Sequence, residues 1–314
     1  MTYPRCDRPT LHFIGVTTGS SSIMRVFPAW ARALGLGDAA IRGIDLPLRA
    51  DPALYREAVV FLRDDPLSRG ALVTTHKIDL FHACRDLFDE TDAFAELMGE
   101  TSCLSKRDGR LVCHAKDPIS SGLAVDGLLA PAHFARTGGE ALVLGAGGSA
   151  IALTWHLMAA RRDRPARITV TDRSAPRLEE IRRIHGLVGG AVPVDYVLAA
   201  DDGANDRALA GLPPGSLVVN ATGLGKDAPG SPITDAARFP EGGLAWDLNY
   251  RGELAFLSQA QVQAGARRLR VEDGWTYFIH GWTQVIAEVF GIPIDSSPAG
   301  IAGLSRIADA SRAA

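Results

Sequence analysis

The chain has 314 residues, room for two domains, with 46% hydrophobic and 22% charged residues and a formal net charge of −3. That balance belongs to a globular protein, and with no basic run or stripe it argues against nucleic acid as a partner. No stretch approaches the ~18 continuous apolar residues of a membrane span, and residues 1–7 lack a signal peptide's apolar run, so cytoplasmic residence is the expectation. Cys6, Cys84, Cys103 and Cys113 lack C-x-x-C spacing and have no partners at metal-site spacing, which predicts free thiols and no metal.

Residues 11–16 read as a strand and 23–36 as an amphipathic helix closed by Gly35 and Gly37. A strand follows at 41–46, a helix at 53–63 and a third strand at 70–74. After His76 and Lys77 the pattern turns helical again, and residues 111–115 make a further short strand. Strands alternating with helical patterns of about 10–15 residues predict a mostly parallel α/β sheet. A connecting helix over 122–129 leads to strands at 141–144, 167–171, 196–198, 216–220 and 243–247, with helices at 151–162 and 175–185, a Rossmann-type succession. From residue 275 the chain is helical, with Val285, Val289 and Ile292 at apolar spacing, and is expected to return to the first domain. The predicted architecture is α/β with two domains: a mostly parallel α/β substrate domain over residues 1–120, completed by 275–314, and a Rossmann-type dinucleotide-binding domain over 121–274.

The turn between the strand at 141–144 and the helix after it is Gly145-Ala146-Gly147-Gly148-Ser149-Ala150. Strand, G-x-G-x-x-A and helix in that order suit a dinucleotide pyrophosphate. One glycine permits the tight turn, the next lets backbone approach the phosphates, and Ala150 lets helix and strand pack closely. The helix N-terminus offers unpaired N–H groups and the positive end of its dipole. The alternative is a purely structural glycine turn. Asp172 ends the next strand, where an acid accepts from the adenosine ribose hydroxyls and repels a 2′-phosphate, favouring NAD. Arg173 beside it suits a 2′-phosphate, which leaves NADP possible; Asp172 as the cap of the next helix is the structural alternative.

Five segments, the glycine turn among them, carry a resemblance. Residues 73–77, Val-Thr-Thr-His-Lys, are similar to N-V-T-x-P-x-K, and the run from Asp108-Gly109 to Asp117 is similar to D-G-x-L-x-G-x-N-T-D. Gly145 to Ala150 is similar to G-A-G-G-A-x, and Asn220-Ala221-Thr222-Gly223-Leu224-Gly225 to N-A-T-P-L-G. Tyr250, Leu257 and Gly265 keep the spacing of Y-x-P-x-x-T-x-L-L-x-x-A-x-x-x-G. In this order the motifs resemble the shikimate/quinate dehydrogenase family over most of the chain. The resemblance implies hydride transfer between a nicotinamide cofactor and a secondary alcohol on a carboxylated ring, a shikimate- or quinate-like small molecule, as in aromatic amino acid biosynthesis. It implies Lys77 as acid/base and Asp117 as its partner. Burial of such a lysine favours the neutral amine and a carboxylate opposes that. Ser21, Thr75, Ser102, Tyr250 and Gln284 become candidates for substrate, and Gly145, Ala146, Gly147, Gly148, Ser149, Ala150, Asp172, Arg173, Asn220, Thr222 and Gly223 for cofactor. A monomer or homodimer is expected.

The departures fall in the substrate pocket. Ser21 keeps the first of the family's two carboxylate-holding hydroxyls, while Ile23 replaces the second, with Ser20 and Ser22 nearby. Ala71 and Val73 stand for the Asn and Thr of the lysine motif, with Thr74 one residue on. Ser102 stands for the Asn of G-A-V-N-T within Gly99-Glu100-Thr101-Ser102-Cys103, and Gly281 for the C-terminal Gln, with Gln284 one helical turn on. His76 beside Lys77 is read as an exposed histidine, with tuning of the Lys77 charge as the alternative. Two rival readings stay open: a nucleotide-binding sensor without catalysis, and a dehydrogenase adapted to a different ring.

Overall fold

A computed structural model describes residues 3–201, 203–226 and 228–313. The chain forms two compact units, one running to Asp117 and resuming at Ile279, the other spanning Pro118–Phe278.

In the first unit, β1 (Thr10–Gly15), β2 (Ala40–Asp45), β3 (Ser68–Val73), β4 (Glu90–Thr91), β5 (Cys103–Arg107) and β6 (Arg110–His114) form one sheet in the order β2-β1-β3-β5-β6-β4. Helices α1 (Ile23–Ala33), α2 (Pro52–Asp64), α3 (Lys77–Cys84) and α4 (Ala93–Met98) connect them. β1 is buried along its whole length between parallel neighbours β2 and β3, including its polar Thr10 and His12. The helix starts follow capping chemistry: Asp51 accepts from Ala53 N at 2.8 Å ahead of Pro52, and Asp92 from Ala95 N at 2.7 Å. The sheet is more mixed than the alternation of strands and helices suggests. β5, unread in the sequence because Ser105-Lys106-Arg107 carries no apolar pattern, pairs antiparallel with both β3 and β6. Its hairpin to β6 turns at Asp108 and Gly109, both at positive φ (51° and 79°), as a two-residue hairpin turn requires.

The chain then enters α5 (Asp117–Leu128), which starts five residues before the predicted helix, and α6 (His133–Thr137). The second unit's sheet holds β7 (Ala141–Leu144), β8 (Ile168–Asp172), β9 (Val194–Leu198), β10 (Leu217–Asn220), β11 (Leu244–Asp247) and β12 (Arg270–Glu272), all parallel. The order β12-β11-β10-β7-β8-β9 is the doubly wound one, with its switch point between β7 and β10. Connecting helices are α7 (Gly148–Trp155), α8 (Ala175–Val188), α9 (Ala204–Ala210) and α10 (Ala255–Arg267). The predicted helix over 151–162 is shorter: after α7 the backbone widens into a π-turn over His156–Ala160. The His156 ring lies where a side chain on Gly122 would stand.

Helices α11 (Trp275–Phe290) and α12 (Pro298–Ala313) close the chain. α12 returns to α1, where the Trp30 indole N–H donates to Leu304 O at 2.8 Å. On α11, Glu288 gathers Lys116 Nζ and Arg107 Nη2, each at 2.7 Å, with His114 Nε2 at 3.6 Å. Burial pushes the Glu288 carboxyl up, but the Lys116 hydrogen bond and the nearby Lys116 and Arg107 charges outweigh it, and its pKa lies below the ordinary value. A depressed carboxyl stabilises the fold above its unfolded pKa, and the contribution is lost as pH falls through the folded value. Glu288→Gln is expected to cost about 2–3 kcal/mol at neutral pH by stranding the mostly buried Lys116. The gap to wild type should close on acidification below about pH 4, read by urea unfolding across pH. A pH-independent gap would contradict the ionic origin.

Candidate active site

β3 ends at Val73, and residues 74–76 turn the chain into α3, whose first residue is Lys77. Thr75 sits at φ +64°, a left-handed conformation that costs a β-branched residue roughly 1–3 kcal/mol. The turn is anchored by His76, which is buried rather than exposed. Its Nε2 lies 3.1 Å from Leu46 O, which can only accept, so Nε2 donates and Nδ1 accepts from the Tyr55 hydroxyl at 3.0 Å. Burial lowers the His76 pKa below the ordinary value, which keeps the ring neutral and suited to those two bonds. The surface reading failed because the β2–α2 segment covers this loop.

Asp117 enters from the other side, as the first residue of α5, three beyond the end of β6. Lys77 Nζ and an Asp117 carboxylate oxygen form an ion pair whose side chains are only 15% and 10% exposed. The two helix N-termini act oppositely: the positive end of α5 favours the Asp117 carboxylate, and that of α3 opposes the Lys77 ammonium. The result is a shielded amine, held in place by a carboxylate, with opposing influences on its charge. That is what proton exchange with a hydroxyl requires.

The remaining candidates divide. Ser21 is 4% exposed, and its hydroxyl makes no hydrogen bond among the described residues, so it is available to a ligand. Its loop is held by Thr18, whose N and Oγ1 bond Asp45 Oδ1 at 2.8 and 2.5 Å. Ile23, which stands at the second hydroxyl position, is wholly buried in the core. Ser102 is also buried and accepts from Lys116 N at 2.7 Å, which ties β5 to the run leading into Asp117. Thr75 is exposed beside Lys77. Gln284 donates to the Ser296 hydroxyl at 2.7 Å, and Gly281, one turn before it, faces open space. Tyr250 belongs to the second unit, in a cluster with Trp275 (5.3 Å between ring centroids) and Phe278 (4.8 Å).

In the second unit the glycine turn lies at the switch point. Gly145 has φ +106°, and a Cβ there would come within 2.9 Å of Ala221 O. Gly147 is the N-cap of α7, followed by Gly148, Ser149 and the buried Ala150. The first turn of a helix leaves its N–H groups without intrahelical partners, and here they open where strand order reverses. Asp172 neither caps α8, whose N-cap is Ser174, nor stands apart from the turn: its oxygens accept from Ala146 N and Ser174 N, both at 2.8 Å. Arg173 is exposed next to it. Asn220 is fully buried; its oxygen accepts from Thr222 N and Oγ1 at 3.1 and 2.6 Å, and its amide donates to Asp247 at 3.1 Å. It therefore shapes the loop carrying Thr222 and Gly223.

Two residues escaped the sequence reading. Arg177 is exposed on α8, four residues after Arg173, with its guanidinium 3.6 Å from where a Gly147 Cβ would stand. The Arg-x-x-x-Arg spacing was the signal. Glu100 is 1% exposed within the first unit, and the signal was a charge at the alanine of G-A-V-N-T. Among the described residues there is no cluster of three or more potential metal ligands, and no helix is long and apolar enough to cross a membrane.

No family model matches the chain. A shikimate dehydrogenase (NADP(+)) of Methylobacterium radiotolerans is 31% identical over 239 residues, 76% of each chain. Among solved structures, the chain is similar to the quinate dehydrogenase of Corynebacterium glutamicum in complex with NAD (TM-score 0.70, 20% identity, 98% of this chain and 99% of that one). It is similar too to the shikimate 5-dehydrogenase of Thermus thermophilus in complex with NADP(H) and shikimate (TM-score 0.68, 23% identity, 96% and 99%).

Proposed function

The chain belongs to the shikimate dehydrogenase family, and from that premise we propose that Lys77 and Asp117 serve reversible hydride transfer between a nicotinamide cofactor and a secondary alcohol on a shikimate- or quinate-like ring. The protein is an NAD(P)-dependent oxidoreductase acting on a CH–OH group. The observation that carries the assignment of roles is the shielded Lys77–Asp117 pair, two helix starts brought together from residues 40 apart.

The bound nicotinamide supplies the hydride acceptor or donor. The chain's own part is to hold substrate and move the proton. In alcohol oxidation Lys77 Nζ takes the hydroxyl proton as the C–H bond breaks; in the reverse direction the ammonium returns it and offsets developing alkoxide charge. Asp117 keeps the amine in place. The Ser21 hydroxyl takes a polar substituent of the ring, with Thr75 and Gln284 as further groups of the first unit and Ser102 as a support, while Tyr250 is the second unit's candidate for substrate. Ile23 and Gly281 withhold the second hydroxyl and the glutamine of the family pattern, so the pocket grips a ring carboxylate with fewer donors. A site built for specific hydroxyls discriminates sharply when its partners change.

The residues of the turn fit a dinucleotide: Gly145, Ala146, Gly147, Gly148, Ser149 and Ala150 for the pyrophosphate, with Thr222 and Gly223 on the neighbouring loop positioned by Asn220. For the adenosine end, Asp172 supports NAD. Because both its oxygens already serve backbone amides, and Arg173 and Arg177 flank the turn, a 2′-phosphate has a place as well. Initial rates with shikimate and quinate, each with NAD and with NADP, test the reading. Turnover of at least one ring alcohol is expected, with Arg177→Ala lowering affinity for NADP more than for NAD. Dinucleotide binding with no turnover of any cyclic polyol would replace the enzyme by the sensor.

A further inference from the structure

Glu100 stands between Gly99, which closes α4 at φ +62°, and Thr101, whose N–H donates to Lys77 O at 3.1 Å. Ser102 N donates to His114 O at 3.0 Å, and Ser102 Oγ accepts from Lys116 N next to Asp117. The segment is thus bonded through backbone to Lys77 and, through the Ser102 hydroxyl, to the residue that precedes Asp117. Yet the Glu100 side chain is 1% exposed and neither of its oxygens has a hydrogen-bond partner. A buried carboxylate with no donor is costly, whereas the neutral acid is far less so.

We propose that Glu100 is a proton-holding positioning residue for the Lys77–Asp117 pair, setting the charge on the Lys77 amine according to whether it keeps its own proton. This rests on the assignment of Lys77 as acid/base. With Glu100 protonated, one carboxylate faces one ammonium and the trio is neutral. When the proton leaves to solvent, two carboxylates face the same ammonium, the trio carries −1, and Lys77 is held in its charged form, a poor acceptor for the substrate's proton. The charged groups acting on Glu100 are Lys77 at the start of α3 and Asp117 at the start of α5. Lys116 is turned to Glu288 instead. Burial drives the Glu100 carboxyl up to about 7, with the Lys77 charge pulling down and the Asp117 charge adding to the rise, so the switch falls in the neutral range.

The test is the pH profile of kcat in both directions for wild type, Glu100→Gln and Glu100→Asp. Removing the ionisable group removes the second carboxylate, so in Glu100→Gln the rising limb of alcohol oxidation should move about one pH unit toward acid. The falling limb of ketone reduction should move with it, while Glu100→Asp keeps both near wild type. A merely structural role would lower rate or stability without moving either limb, and unmoved limbs overturn the proposal. Infrared difference spectra give a readout independent of activity. Wild type should show a protonated carboxyl C=O band below neutrality that fades above it and is missing from Glu100→Gln; a wild type without that band also overturns it. If instead Lys77→Ala kept its turnover while the band titrated as expected, the acid/base assignment would fail and the proton-holding acid would stand.

Discussion

Lys77→Ala lowers kcat by about 10²–10⁴, the range for loss of a general acid–base group, while dinucleotide affinity, held by other residues, stays near wild type. The loss is large because the Asp117 carboxylate cannot substitute for the amine: it accepts protons but provides no positive charge opposite a developing alkoxide. The largely buried Asp117 carboxylate also loses its ammonium, so a fall in stability accompanies the fall in rate. Single-turnover kinetics with dinucleotide bound separate the two. A step slowed less than tenfold would remove Lys77 from the chemistry.

Gly145→Ala is expected to cost about 2–3 kcal/mol of stability, because an L side chain is strained at φ +106° and its Cβ meets backbone, the Ala221 carbonyl, at 2.9 Å. The neighbouring strand end must give way. Since β7 and β10 meet there, the distortion reaches the phosphate turn and the Thr222 loop together, and dinucleotide affinity should fall at least tenfold, measured by fluorescence titration. Unchanged affinity would show that the turn does not cradle the pyrophosphate.

The sequence made the second unit's sheet easy to read. Fully buried parallel strands such as Ala141–Leu144 are apolar from end to end, and a glycine turn after one is a local signal. The Lys77–Asp117 pair could be named only through motif resemblance, since nothing local relates residues 40 apart. What escaped was tertiary in origin. β5 carries Ser105, Lys106 and Arg107 because hairpin pairing, not a buried face, makes it a strand; the Asp108-Gly109 turn marked it all the same. His76 looked exposed because its cover comes from Leu46 and Tyr55, more than 20 residues upstream. Glu100 was passed over, since only packing reveals that no donor reaches it.

The first unit is built from two stretches of chain, and this imposes an order on its completion during synthesis. The indole of Trp30, 0% exposed in the finished fold, donates to a carbonyl 274 residues later. A ribosome therefore finishes the whole of the intervening unit before that donor meets its acceptor. Until α12 leaves the exit tunnel, α1 has an uncovered apolar face and a tryptophan with no carbonyl to bind. The nascent protein passes through a stage in which the half carrying Lys77 and Asp117 has been translated but not yet sealed.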